Sequence, residues 1–212
     1  MIDTSKIYTS NNCGKFKINN YHSCNNIIIE FIATKYTVKT NSDKVITGKI
    51  KDPLHPYRYD IGFVGIGKHT PSLKGKTSKA YRAWSNMLTR CYRGSYAEKN
   101  PTYKDCTVCD EWHDFQNFAS WFNGNYTEGL HLDKDIKTEG NKVYSPLTCL
   151  FVSPADNAIK ANAKVASLLS PDGIVVEFYN ISEFCRVNGL DKSSVGKVLS
   201  GKRVSCKGWF KV

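Results

Sequence analysis

Residues 129–157 constrain the fold of this chain more than any other segment. His131, Asp133 and Asp135 alternate along its first part, and a strand would place all three side chains on one face. Gly140-Asn141 follows, and this dipeptide has the composition of a turn. The pattern therefore predicts an acidic strand that ends at a tight change of chain direction.

A second strand and the start of a helix follow that turn. The run Thr148 to Val152 is typical of a short buried strand. Ser153 before Pro154 predicts a helix start, with Ser as the N-cap and Pro at the first helical position. Asn157 then falls in the first helical turn. A strand–strand–helix unit that points Asp133 at Asn157 could hold one hard divalent cation, Mg²⁺ or Mn²⁺, through oxygen ligands, with Asp135 as a further donor.

Charge is distributed unevenly around this segment. The net charge is +11, and residues 1–79 contribute 13 Lys and Arg against 5 Asp and Glu. Residues 80–160 carry 9 Lys and Arg against 10 Asp and Glu, and residues 161–212 carry 8 Lys and Arg against 4 Asp and Glu. Basic flanks suit a polyanion such as double-stranded DNA, because Lys and Arg that neutralise phosphates release condensed counterions. Solvated surface charge is the alternative explanation.

Composition excludes several classes of protein. With 41% hydrophobic and 12% aromatic residues the chain is expected to fold rather than stay disordered. No apolar run approaches the roughly 20 residues that span a bilayer, and the N-terminal residues have no apolar signal core. The 8 cysteines have no repeated spacing. We therefore expect a cytoplasmic protein with reduced thiols, no membrane partner and no small-molecule substrate.

The first section, residues 1–79, is strand-like. Short β-branched and aromatic runs are separated by Asn, Gly, Ser and Asp, and lysines interleave with the apolar positions. They predict a twisted antiparallel sheet with one basic face. The predicted strands are Phe16-Lys17-Ile18, Ile27 to Ile32, Tyr36-Thr37-Val38 and Val45 to Ile50. The glycines of Asp60 to Lys68 predict a bent strand or bulge rather than a phosphate-binding loop.

The second section, residues 80–165, opens with a helix. Ser78 is a suitable cap for a helix from Ala80 to Tyr92, in which one apolar stripe recurs at helical spacing. Arg82 and Arg90 lie off that stripe, so they are either solvated or in contact with phosphate. A second amphipathic helix is predicted over Trp112 to Phe122, directly before the acidic strand.

The third section, residues 166–212, predicts a β-hairpin followed by two helices. Ser170 to Gly173 forms the hairpin turn, Gly189 ends a helix over Ile181 to Asn188, and Asp191 caps a helix over Lys192 to Leu199. Two short helices joined at a glycine are typical of a helix-turn-helix, and a generic small cap is the alternative. The exposed residues expected to contact DNA are Lys192, Ser193, Ser194, Lys197, Lys202 and Arg203.

The middle section resembles a family of phage-type His-Asn-His endonucleases. The resemblance rests on Leu132-Asp133-Lys134-Asp135-Ile136, Gly140 to Pro146, Thr148-Cys149, Phe151-Val152 and Asn157. Residues 173–209 are similar to modular DNA-binding repeats that follow intron-encoded nucleases, through Phe178 to Ile181, Gly189-Leu190, Gly201-Lys202 and Gly208-Trp209. Residues 1–79 resemble the three-stranded DNA-binding sheet of plant ethylene-response factors.

The resemblance implies a ββα-metal nuclease and a role for each matching residue. Asp133 and Asn157 would hold a single Mg²⁺-like ion, which stabilises developing charge and the leaving 3′ oxygen during phosphodiester hydrolysis. Asn141 would be the second Asn of the motif, which braces the loop. The family's general base is a His directly after the metal-binding Asp, whereas this chain has Lys134 there.

Three outcomes follow from that departure. His131, on the same strand face as Asp133, serves as the base; or a metal-bound hydroxide attacks while Lys134 steers the phosphate; or the site is inactive. His131 can also be an ordinary strand histidine beside carboxylates. In the inactive case the chain would be a sequence-specific DNA-binding protein on the same scaffold.

The cysteines allow a second metal hypothesis. Cys106 and Cys109 have the two-residue spacing of a zinc knuckle, and Cys91 and Cys149 are candidates for the remaining ligands of a structural Zn²⁺. Small buried thiols beside aromatic helices are the commoner explanation.

Taken together, the sequence predicts an α+β protein in three parts. A β-rich DNA-binding region, a ββα-metal nuclease unit with flanking helices, and a β-hairpin with a helix-turn-helix module would follow in order. The expected function is metal-dependent DNA endonuclease activity, of the phage or intron-associated homing type, in the cytoplasm of a bacterial host.

Overall fold

The fold mixes helices with several small sheets, as the predicted α+β class requires. It is described here from a computed structural model that covers residues 2–138, 140–155, 157 and 165–212. The chain forms two compact units, Met1–Phe151 and Val152–Val212. Its buried apolar side chains form separate clusters in the N-terminal, central and C-terminal parts. The predicted domain boundaries after residues 79 and 165 stay predictions.

The N-terminal part is a four-stranded antiparallel sheet in the order β1-β2-β3-β4. Its strands are β1 Ile7–Ser10, β2 Gly14–Ser23, β3 Asn26–Phe31 and β4 Thr37–Thr40. Phe16 and Ile18 point into the core and pair with Phe31 and Ile29, while Lys17 points outward and pairs with Glu30 at 3.3 Å. Three of the four predicted strands and the lysine-bearing outer face are confirmed, and β1 is an additional strand.

The predicted strand Val45 to Ile50 is wrong, because this segment contains helix α1, Ser42–Thr47. The Asn41 side chain accepts a hydrogen bond from the Lys44 N–H at 3.0 Å, which caps the helix. Gly48 ends it with φ of 67°, a conformation that glycine adopts without penalty. These two end signals outweigh the β-propensity of Val45, which packs its side chain into the N-terminal core.

Asp60 to Lys68 forms a bend, as predicted, but no regular strand. Two isolated bridges join Arg58 to Gly62 and Phe63 to Asp114. Gly65 has φ of 73°, and a Cβ there would collide with the carboxylate of Asp114. Only glycine at position 65 therefore allows the bend to lie this close to Asp114, the residue that precedes helix Phe115–Asn125. A short hairpin comes next, formed by β5 Ser72–Leu73 and β6 Lys76–Thr77.

The central core lies between helix α2, Lys79–Tyr92, and helix α4, Phe115–Asn125. Ser78 caps α2 by accepting a hydrogen bond from Tyr81 N–H at 3.2 Å. Trp84 is fully buried, and its indole N–H donates to the Trp112 carbonyl at 2.7 Å. The first predicted helix is confirmed, and the second is present but begins at Phe115 rather than at Trp112. The connection between them contains helix α3 Gly94–Lys99 and single 3₁₀ turns at Pro101–Tyr103 and Asp110–His113.

Two small sheets surround the predicted acidic segment. Strand β8, His131–Asp133, pairs with β10, Leu150–Val152, which confirms the two predicted strands. Strand β9, Val143–Tyr144, pairs in parallel with β7, Thr107–Val108, and was not predicted. Asp135 lies beyond the end of β8, so the prediction that it shares one strand face with His131 and Asp133 is wrong.

The C-terminal unit is a four-stranded sheet, ordered β12-β11-β14-β13, that packs against two helices. Its elements are β11 Ala166–Leu169, β12 Val175–Phe178, helix α5 Ile181–Val187, helix α6 Lys192–Leu199, β13 Ser205–Cys206 and β14 Trp209–Lys211. Asp191 caps α6, and Gly189 has φ of 61° between the helices. The predicted hairpin and helix pair are therefore present. Among the described helices, none has the length and apolar character needed to cross a membrane.

Candidate functional site

Asp133 ends strand β8 and turns the chain. Its Oδ1 atom accepts hydrogen bonds from the backbone N–H groups of Asp135 and Ile136, both at 2.7 Å. This bonding explains why the strand stops here, since the aspartate side chain offers the backbone an alternative to the ladder. No residue in the described part of the chain donates to Oδ2. Asp133 therefore fixes the loop through one carboxylate oxygen and keeps the other for a further partner.

Lys134 points into the protein rather than to solvent. Its side chain is 5% exposed, and its ammonium group pairs with the Asp135 carboxylate and donates to the Asn141 carbonyl at 2.8 Å. The same group lies 5.9 Å from the ring centroids of Tyr103 and Tyr144. All of these partners lie within the protein, so Lys134 stabilises the loop from inside. Its position gives no support to the predicted role in steering a phosphate.

Asn141 closes the other end of the same loop. Its Nδ2 donates to the carbonyls of Lys134 at 2.9 Å and Val143 at 2.7 Å. This geometry fits the bracing role that the resemblance implies for the residue. The Asp135 carboxylate is engaged by Lys134, so it is less suited to a cation than Asp133.

His131 is exposed at the start of β8 and lines a cleft of about 390 Å³. The opposite side of this cleft is formed by α2, which contributes Lys79, Arg82, Asn86 and Arg90. The structure therefore brings the candidate base to one surface with both arginines that the sequence suggested as phosphate contacts. Lys79 and Asn86 were missed, although their spacing from Arg82 and Arg90 places all four on one side of a helix.

Arg90 is held more firmly than Arg82. Its guanidinium group lies 5.7 Å from the Tyr103 ring centroid and close to the Tyr144 hydroxyl. Burial raises the pKa of Tyr144, and the neighbouring Arg90 opposes that rise. Arg90 and Lys134 thus share the same two aromatic rings. The exposed Arg82 is the more mobile cation of the cleft wall, because a long exposed side chain keeps its rotamer freedom.

Asn157 lies in the first turn of the predicted helix. Its backbone N–H donates to the Ser153 carbonyl at 3.0 Å, which confirms a helix start at this point. The predicted continuation of this helix falls on residues outside the described ranges. Asn157 belongs to the Val152–Val212 unit and Asp133 to the Met1–Phe151 unit. Their sharing of one cation stays a prediction.

The four cysteines suggested for zinc are buried or half-buried. Burial raises the pKa of Cys91 to about 12, with Cys106 nearby adding to the rise, and it raises the pKa of Cys149 to about 11. Zinc binds the thiolate form. Within the described ranges, no three His, Cys, Asp or Glu side chains lie close enough together to hold an ion. The structural zinc site stays a prediction that these contacts do not support.

The DNA contacts predicted for the C-terminal unit cluster around α6. Lys192, Ser193 and Lys197 are exposed on the helix. Ser194 accepts a hydrogen bond from the Arg203 guanidinium at 3.0 Å, which attaches the following loop to the helix. Lys202, also exposed, lies in that loop. The backbone N–H groups of Lys202 and Arg203 donate to the Lys197 carbonyl at 2.8 Å and 3.1 Å, so the structure brings Ser194, Lys197, Lys202 and Arg203 together, while a shared surface with Lys192 and Ser193 stays a prediction.

Comparisons with known proteins give limited information. No protein-family model matches the chain, and no curated protein sequence matches it. A solved structure described as "DNA binding and cleavage by the HNH homing endonuclease I-HmuI" aligns at 25% sequence identity over 41% of this chain. The alignment spans 59% of that chain and has a TM-score of 0.23, which is too low to establish a common fold. Activity, substrate and partners of the present chain are therefore proposals.

Proposed function

We propose that this chain is a metal-dependent DNA endonuclease of the phage or intron-associated type. The observation that carries the proposal is the cleft beside β8. His131 lines it together with Lys79, Arg82 and Arg90, and Asp133 follows His131 by two residues on the same strand. A polyanion drawn to these cations would place a phosphate next to the His131 imidazole, with the Asp133 carboxylate two residues further along the strand; imidazole and carboxylate are groups that phosphodiester hydrolysis uses.

The residues present suit a hard cation such as Mg²⁺ or Mn²⁺. The Oδ2 atom of Asp133 accepts no hydrogen bond from the described residues, and Asn157, the second ligand that the sequence predicts, would add an amide oxygen. Two protein oxygens with waters match the way Mg²⁺ is usually held near phosphates. When bound there, the ion would supply charge stabilisation for the pentacovalent phosphate and the leaving 3′ oxygen.

The chain's own groups would carry out the remaining steps. Arg82 and Arg90 hold the phosphate, and the His131 imidazole accepts a proton from an attacking water. The new P–O bond forms as the P–O3′ bond breaks, and the leaving oxygen is protonated by solvent. Of the candidate bases, His131 fits best, because it is exposed in the cleft whereas Lys134 is buried and paired.

Asp133→Asn is the sharpest test of the metal. Asparagine keeps an Oδ1 acceptor for the Asp135 and Ile136 N–H groups, so the loop stays folded, while the negative charge is lost. We expect nicking of supercoiled plasmid by the wild type with Mg²⁺ or Mn²⁺, none with EDTA, and a loss of about a hundredfold or more in the variant.

The same assay separates the proposal from its alternative. A wild-type protein that binds duplex DNA tightly and never nicks it with either metal would be the catalytically inactive DNA-binding protein. An Asp133→Asn variant that cleaves at the wild-type rate would remove Asp133 from the metal site.

A further inference from the structure

The hairpin formed by β5 and β6 projects from the N-terminal end of α2. All six of its residues, Ser72 to Thr77, are exposed. Lys74 and Gly75 connect the strands with φ of 49° and 77°, the backbone of a tight two-residue hairpin turn. Strand register is fixed by the pairs Ser72↔Thr77 and Leu73↔Lys76. It is a short two-stranded ribbon whose side chains are accessible to a partner.

The base of the ribbon is tied to α2. Ser78 N–H donates to the Pro71 carbonyl at 2.9 Å, which closes the ribbon. The Ser78 hydroxyl in turn accepts from Tyr81 N–H and caps the helix. One residue thus belongs to both elements, so the ribbon is held in a fixed relation to the helix that carries Arg82 and Arg90.

The ribbon lies inside the most basic stretch of the sequence. Residues 61–97 contain 7 Lys or Arg and no Asp or Glu. Four of these cations, Lys68, Lys74, Lys76 and Lys79, lie in the ribbon or within a few residues of it. A stretch of this length without an acid is poorly explained by ordinary surface charge, in which both signs are interspersed. A cluster of basic residues without acids is typical of a surface that binds a polyanion.

Two clefts connect the ribbon to His131. A second cleft of about 520 Å³ is lined by Lys68, Leu73 and Lys79, and Lys79 also lines the cleft that contains His131. Among the described residues, Glu128 is the only acid in the lining of either cleft, and its carboxylate is paired with Lys79. Along α2, Lys79 and Arg90 are separated by about 16 Å at the rise of a helix. The result is a continuous basic surface.

We infer that the ribbon Ser72–Thr77 is a second DNA-contacting element, which enters the major groove of duplex DNA beside the phosphate held in the His131 cleft. This inference rests on the proposed function. A two-stranded ribbon has the dimensions that the major groove admits. The Leu73 side chain, 67% exposed, supplies an apolar contact for base edges, and Lys74 and Lys76 reach the flanking phosphates. The ribbon has no aromatic side chain on which an unpaired base would stack, which argues against a single-stranded partner.

The test compares two ribbon variants with a matched control. Lys74→Ala/Lys76→Ala removes two ribbon cations, and Leu73→Ala removes the apolar contact. Lys99→Ala/Lys104→Ala removes two exposed lysines outside the acid-free stretch. Circular dichroism establishes that each variant is folded, which is expected because the substituted side chains are exposed. Binding to a duplex of about 40 base pairs is then measured by fluorescence anisotropy over a salt series, alongside a single strand of the same length.

The double ribbon variant should reduce the slope of log affinity against log salt by about 1.8, since each phosphate contact contributes about 0.9. The control pair should leave that slope unchanged. Methyl green, a major-groove ligand, should displace the wild type from the duplex, and a lower concentration should displace Leu73→Ala, which has lost a groove contact. Plasmid nicking with Mg²⁺ should still occur in every variant, and only the ribbon variants should show a reduced apparent affinity for the plasmid.

An unchanged salt slope in the double ribbon variant would overturn the inference, and so would an equal loss of affinity for the single strand. The proposed function survives either result if the protein still nicks plasmid. A wild-type protein that binds no duplex would overturn the proposed function and this inference together.

Discussion

Lys134 and Asn141 hold each other across the loop that follows β8. The Lys134 ammonium group donates to the Asn141 carbonyl at 2.8 Å, and the Asn141 side-chain amide donates back to the Lys134 carbonyl at 2.9 Å. This reciprocal pair determines the shape of the loop between Asp133 and β9. Lys134 therefore contributes to function by positioning, and stability measurements should reveal it.

Lys134→Ala is expected to lower the free energy of unfolding by about 3 kcal/mol, because it leaves the Asn141 carbonyl and the Asp135 carboxylate without their buried partner. Urea denaturation measures the change. The exposed Lys137→Ala, three residues along the chain, should cost much less. A Lys134→Ala protein with wild-type stability and no nicking would instead assign Lys134 to the chemistry.

Stability should fall at alkaline pH. Burial raises the pKa of Cys91 to about 12 and of Cys149 to about 11, from an ordinary thiol value of 9.0. The folded state then holds these protons more tightly than the unfolded state, so the stabilisation is complete below about pH 9 and is lost as pH rises towards 12. Urea denaturation at pH 8 and pH 10 should show the loss, and Cys91→Ala should weaken this dependence. A wild type equally stable at both pH values would contradict the assignment.

The same protonation protects the buried thiols from alkylation. At pH 8 the exposed Cys24 should react rapidly with a thiol reagent, whereas Cys91 and Cys149 should react only after unfolding. Peptide mapping by mass spectrometry identifies the modified sites. Rapid labelling of Cys91 in the folded protein would mean that the central core opens near α2.

Gly65→Ala should destabilise the central core by roughly 2–4 kcal/mol, because a Cβ collides with the Asp114 carboxylate and the residue has φ of 73°. Gly94→Ala is the matched control, since a Cβ there meets nothing within 4 Å. Thermal melts of the two variants measure the difference. Equal melting temperatures would show that the bend over residues 60–68 tolerates a side chain.

The C-terminal unit should contribute to DNA affinity without contributing to cleavage. Lys192→Ala/Lys197→Ala removes two exposed cations from α6 and should reduce the salt slope of duplex binding by about 1.8. The nicking rate at saturating protein should be unchanged. Gel shifts across a salt series measure the slope, and an unaltered slope would remove α6 from the DNA-binding surface.

Elements with local signals were predictable from the sequence. Helix α2 is indicated by its own apolar stripe and by its cap, Ser78. The ends of the two C-terminal helices are indicated by Gly189 and Asp191, which lie directly beside them. The strand Val45 to Ile50 was predicted wrongly because β-branched composition was weighed above Asn41 and Gly48, which end a helix on both sides.

Elements that depend on distant partners were not predictable. β9 pairs with β7, whose residues lie 36 positions earlier in the chain. The burial of Lys134 depends on Tyr103 and Tyr144, which no local pattern connects with it. A lysine in an acidic loop is ordinarily a surface residue, so the sequence alone favoured a role at the surface.

The rate of plasmid nicking by His131→Ala, measured at saturating protein with Mg²⁺, tests the central claim most directly. His22→Ala, which changes an exposed histidine of β2, is the control. With His131 as the base, the first variant should lose about a hundredfold or more in rate and the second should keep the wild-type rate. A His131→Ala protein that nicks as fast as wild type would contradict the account and show that another group activates the water.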